Sequence, residues 1–299
     1  MSFYAVIKKN ALAALKGRWP GAVGVAAFIA GVGVFLTVVE NTLLQALLPS
    51  NAGVGMGLAL DYADFVRRFF VHSPVEPAIA GGFSLIALFL FTPLSLGLTR
   101  WFYLLIGGER PTFYDLFHFF ERGRRYARAV GYTIQIGVRA GFWGILFFCL
   151  PSGLTIACVR LLRIEELGRQ FRSAASIGVL FALCLFLLAG ILYAIFLGRY
   201  SLTVYLLCES DMTTLNQAFR RSIRYTKGYL GTKFGFTLSY IGWYVLSALM
   251  LFLPLLWVTP YHMAGETVLA RYLAEKNREP DMEGTKEFGG TGQGDSASR

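Results

Sequence analysis

The feature that most constrains this chain is the length of its charge-free runs. Between Arg18 and Asp61 the sole charge is Glu40, and none falls between Glu76 and Arg100, Arg172 and Arg199, or Lys233 and Glu266. A helix needs roughly 20 apolar residues to cross a hydrocarbon core of about 30 Å. Each run is long enough, and in a bilayer a run of this length must satisfy its own backbone hydrogen bonds, which a helix does. The fold class expected is all-α, a polytopic transmembrane helix bundle.

Composition agrees. Charged residues make up 15% of the 299, against about 25% in soluble domains. The formal net charge of +10 lies mostly in Lys and Arg beside the apolar runs, which suits membrane orientation and attraction to anionic headgroups. No nucleic-acid motif accompanies it, so nucleic acid is not an expected partner. Cys149, Cys158, Cys184 and Cys208 all lie in apolar sequence without a C-x-x-C pair, which argues against a disulfide framework.

The hydropathy pattern places spans at about 21–47, 78–106, 130–158, 174–207, 230–251 and 254–275. The last two form a hairpin turning near Phe252–Pro254, with Pro254 and Pro260 breaking the apolar run. The alternative is five spans and a surface helix. Residues 1–276 make one membrane domain, and 277–299, rich in Gly, Ser and charge, read as a disordered tail. Three basic amphipathic stretches flank the spans: 2–19, 112–130 and 214–231. Lys/Arg placement puts all three, and both termini, on the cytoplasmic side. The basic loop 160–173 falls outside in this arrangement, against the rule.

The basic stretches resemble one another. Each opens on a potential N-cap, Ser2, Thr112 or Thr214. The first and third end in Lys16-Gly17-Arg18-Trp19 and Lys227-Gly228-Tyr229-Leu230. Each reads as an interfacial helix feeding a membrane helix.

The most specific text is Thr226-Lys227-Gly228, then Ser239-Tyr240-Ile241-Gly242-Trp243, Leu256-Trp257 and Thr259-Pro260-Tyr261, joined by Leu96–Phe117 and Leu15-Lys16-Gly17-Arg18-Trp19. These segments resemble the domain-of-unknown-function 975 family of bacterial integral membrane proteins. The resemblance covers most of the chain outside 48–77 and the tail. It implies a bacterial cytoplasmic membrane and brings no activity or site residues. Where the family has a Gly-rich turn, this chain has Leu251-Phe252-Leu253-Pro254.

Charges inside the spans are the candidate site. Arg100, Arg139, Arg199 and Glu266 interrupt apolar sequence, and an intramembrane charge pairs, snorkels or serves a function. Together they would form an Arg-rich site for an anionic ligand. Gly137 and Gly141 give a G-x-x-x-G around Arg139, read first as ordinary packing. His72, His118 and His262 are too far apart to make a metal site. No catalytic motif appears, and no cofactor or metal is expected. The expected function is non-enzymatic, through interaction with lipids, anionic ones among them, or with membrane proteins. The alternative is a small transporter or permease using the four charged residues.

Overall fold

A computed structural model describes residues 3–47, 75–162, 164, 169–209 and 213–289. Among these residues the chain is helical throughout, with no strand. The elements are α1 Phe3–Leu15, α2 Trp19–Leu47, α3 Val75–Ile106, a 3-10 turn Phe113–Phe117, α4 Gly123–Leu162, α5 Arg169–Gly198, α6 Thr203–Glu209, α7 Leu215–Thr226, α8 Leu230–Leu238, α9 Ile241–Leu249 and α10 Leu255–Gly289.

Four helical stretches are long and apolar enough to cross a membrane: Trp19–Leu43, Gly81–Ile106, Gly123–Leu162 and Ser173–Glu209. They coincide with the first four expected spans. The fifth apolar stretch is not one continuous helix. It breaks at Ser239–Tyr240 into α8 and α9 of nine residues each. The chain then turns at Met250–Pro254, the site expected for a hairpin, with Leu251 and Phe252 at φ 53° and 63°. Pro260, expected to break the run, is carried inside α10, at the cost of one backbone hydrogen bond. That helix continues to Gly289, through the first part of the expected tail, while residues 290–299 lie outside the described residues.

Helix α3 is central. Its Leu94, Leu98, Trp101, Phe102 and Leu105 pack with Ala22, Val25 and Ile29 of α2, Ala11 and Leu15 of α1, and Ala264 of α10. The 3-10 turn presses close: a Cβ at Gly97 would overlap the backbone carbonyl of Leu116. Helix α1 buries Ile7, Ala11 and Leu15, one residue per turn, while Phe3, Val6 and Leu12 stay exposed. The apolar face read as membrane-seeking therefore divides, and one stripe of it docks on protein.

Helices α4 and α5 pair along their length. A Cβ at Gly178 would lie 2.5 Å from Cys158 Sγ, so a glycine sets how closely they meet. Their outer faces carry Val138, Ile145, Leu150, Ile177, Leu180 and Leu187, all more than half exposed. Apolar surface this continuous is stable only against lipid or another apolar partner. Gly137 and Gly141 belong to the open face: a Cβ at either would meet nothing within 4 Å. Packing within the chain, the first expectation for this pair, does not use them.

Two of the three basic stretches share one construction. After α1, Gly17 takes φ +76°; after α7, Gly228 takes φ +85°. Around Gly17 the bonds are Lys16 N to Ala13 O and Arg18 N to Leu15 O; around Gly228 they are Lys227 N to Arg224 O and Tyr229 N to Thr226 O. The left-handed residue is one that glycine adopts at little cost. The middle stretch differs: 112–130 is a 3-10 turn followed by the start of α4, not one amphipathic helix. Asp115 accepts the Thr112 N–H at 2.6 Å and Gln217 accepts the Thr214 N–H at 3.3 Å, so both threonines stand at capped starts. Ser2 lies outside the described residues.

Candidate functional site

Of the four charged residues singled out, the three arginines meet rings and carbonyls, while Glu266 lines a cavity. Arg100 of α3 donates from Nη1 to the Cys208 carbonyl at 2.8 Å, placing a cation at the C-terminal end of α6, where carbonyls lack helical partners. Its buried Nε has no acceptor. Arg139 of α4 donates to the Gln135 carbonyl and side-chain oxygen, both at 3.2 Å. Its guanidinium lies 4.1 Å from the Phe219 ring centroid and 5.7 Å from that of Tyr200. Arg199 stacks on Phe196 at 4.4 Å, and its own carbonyl accepts from Ser222 Oγ at 2.7 Å and Thr226 Oγ1 at 3.3 Å. The three arginines thus knit α3, α4 and the α5–α6 corner to α6 and α7 through rings and carbonyls.

Glu266 sits apart, on α10. It accepts from Thr237 Oγ1 at 3.3 Å and lies 3.6 Å from His262 Nε2, one turn earlier on the same helix. The other ring nitrogen of His262 is 2.8 Å from the Tyr244 hydroxyl. Lys233 of α8 lies within electrostatic reach of both His262 and Glu266. Together with Thr99, Ser201, Val204, Tyr205 and Met263, His262 and Glu266 line a cavity of about 240 Å³. None of the three arginines is among its walls. At about 30 Å³ per water in the liquid, the space suits several waters or one small polar solute.

The break at Ser239–Tyr240 shapes this region. Lys8 Nζ donates to the Ser239 carbonyl at 3.2 Å and lies 4.4 Å from the Tyr240 ring centroid. Burial pushes the Lys8 pKa down, while the carbonyl and ring face favour its charged form. Tyr240, fully buried, meets Tyr261 at 5.2 Å and His262 at 4.6 Å between centroids. Gly265 gives it room, since a Cβ there would stand 2.7 Å from the Tyr240 hydroxyl. The signature text around 239–243 and 259–261 therefore converges on one polar–aromatic cluster.

His262, Tyr244 and Thr237 were not among the residues singled out for a site. One signal existed: His262 and Glu266 are four apart, hence on one helix face, inside otherwise uncharged sequence. Among the described residues, no three His, Cys, Asp or Glu side chains gather as a metal cluster.

A second polar surface lies on α7. Ala218, Phe219, Ser222 and Tyr225 are buried against the bundle. Gln217, Arg220, Arg221 and Arg224 border an open hollow of about 370 Å³.

Compared with known proteins, residues 4–277 match the sequence model of a family described as a protein of unknown function, DUF975. No curated protein and no solved structure matches the chain.

Proposed function

The chain belongs to that family of unknown function, DUF975, and from this premise we propose that it is a non-enzymatic integral membrane protein acting through anionic lipid. The observation carrying this reading is the α7 surface, where three arginines face outward from a helix whose other side is locked into the bundle. Near a charged leaflet each such cation contributes about 1 kcal/mol. In this reading the bundle has six spans, with the α8–α9 and α10 segments as the last two. Both termini lie in the cytoplasm of a bacterium, and α1 and α7 rest at the inner headgroup level.

The test is the lipid that the full chain keeps. Purified from mixed phosphatidylglycerol–phosphatidylcholine nanodiscs, the protein should be enriched in phosphatidylglycerol, and the enrichment should weaken as salt screens it. The triple variant Arg220→Gln, Arg221→Gln, Arg224→Gln should lose most of it. Bulk lipid composition around the unmodified protein at low and high salt would refute the reading.

The cavity at Glu266 favours a second reading, a small transporter or permease. A carboxylate in the wall suits a cation or a neutral polar solute better than the anion that the arginines alone implied. Proteoliposomes loaded with candidate solutes would show uptake that Glu266→Gln abolishes; equal flux in both would exclude this site.

A further inference from the structure

A separate basic hollow of about 480 Å³ lies where α1 turns into α2, with Lys16, Arg18, Pro20, Trp101, Leu105 and Arg110 among its walls. Its polar side chains are all donors. Arg18 is fixed by a 2.7 Å bond from Nη1 to the Glu109 carbonyl. Lys16 and Arg110 are exposed and, among the described residues, none of the three cations is paired with a carboxylate. Trp101, only 4% exposed, supplies an apolar wall beside them. The hollow also lies at the N-terminus of the 29-residue α2; Pro20 carries no N–H and the Ala22 N–H is taken by the Arg18 carbonyl, so it is the helix dipole that favours negative charge there.

Three cations around one hollow at a helix N-terminus ask for a compact anion with several acceptor oxygens. The geometry points to a phosphate-binding pocket. Its position identifies the source. Trp19 opens one candidate span and Ile106 closes another, so Lys16 and Arg18 precede the first as Arg110 follows the second, at the same end of the packed pair. That is headgroup depth, with Trp101 and Leu105 available to the glycerol and upper acyl chain. The site is one bound phospholipid phosphate. It deepens the anionic-lipid reading by adding a discrete site to a general charge preference, and it rests on that reading for the membrane location.

Native mass spectrometry of the full chain in detergent tests it. Phosphatidylglycerol is titrated against diacylglycerol, which lacks the phosphate, and inorganic phosphate is added in a separate arm. One phosphatidylglycerol should be retained per chain. The variant Lys16→Gln, Arg110→Gln, altered only at exposed positions, should bind it about tenfold more weakly, as loss of charge-assisted hydrogen bonds implies. The α7 triple variant should keep this one lipid. Charge reversal by Arg110→Glu alone should weaken binding at least as much, and unchanged melting of each variant establishes that the fold is intact. Displacement of the lipid by millimolar inorganic phosphate, or phosphate retention with no lipid preference, supports the pocket with free phosphate as its source. Equal phosphatidylglycerol binding by unmodified and pocket-variant protein overturns the pocket; if the α7 variant alone loses lipid, the general reading stands without it. No preference for phosphatidylglycerol and no phosphate retention in any form overturns both.

Discussion

At the scale of single residues, backbone conformation and sequence disagree at the turn before α10. Leu251 and Phe252 both have positive φ, at 53° and 63°, a region that costs a side chain with Cβ about 1–2 kcal/mol. Glycine would remove that strain but add freedom to the unfolded chain. Leu251→Gly and Phe252→Gly should each therefore stabilise the protein by about 0.5–1 kcal/mol, read as a higher midpoint of thermal unfolding in detergent. Leu251 is 84% exposed, so little packing is lost. The sequence marked a turn here through Pro254, but left-handed leucine and phenylalanine have no composition signature. The arginines were similarly half-legible. Their cost inside an apolar run pointed to partners; the partners themselves, such as Phe219 for Arg139 and the Cys208 carbonyl for Arg100, come from segments far along the chain and follow from tertiary packing alone.

At the scale of elements, four long apolar helices were readable because a bilayer dictates their length and leaves their outward faces apolar. The break at Ser239–Tyr240 was not readable. No proline marks it, and the helix yields there to place Tyr240 between Lys8 and Gly265. The division of α1 was equally hidden, because helical periodicity shows an apolar face without saying whether protein or lipid covers it. Helix α4 offers a direct check. Gly137 has open space where a Cβ would go, so Gly137→Ala should stabilise the isolated chain by up to about 1 kcal/mol through helix propensity. Thermal unfolding of the detergent-solubilised monomer measures this. A loss of stability in the monomer would mean that Gly137 does not face open space.

At the scale of the molecule, the family resemblance seen in the sequence extends over residues 4–277, and the class of fold follows from hydropathy. The site was only partly visible: Glu266 was singled out, whereas the cavity it shares with His262 needed the approach of α3, α6 and α10. The six-span arrangement makes a topological prediction. Fluorescent-protein fusions at either terminus should both fluoresce in a bacterial cell, and alkaline phosphatase at either should be inactive. Phosphatase activity at the C-terminus alone would require an odd number of crossings.

The docking of α1 also sets a timetable. Ile7, Ala11 and Leu15 close against a core containing Ala264, Leu269, Ala270 and Leu273, so α1 packs on α10, a helix synthesised much later. At about 5–20 residues per second, the nascent chain carries an undocked N-terminal helix for roughly 15–50 s. During that interval its apolar stripe needs temporary shelter, and the headgroup layer of the membrane is the nearest. A chain truncated before α10 would keep that stripe undocked.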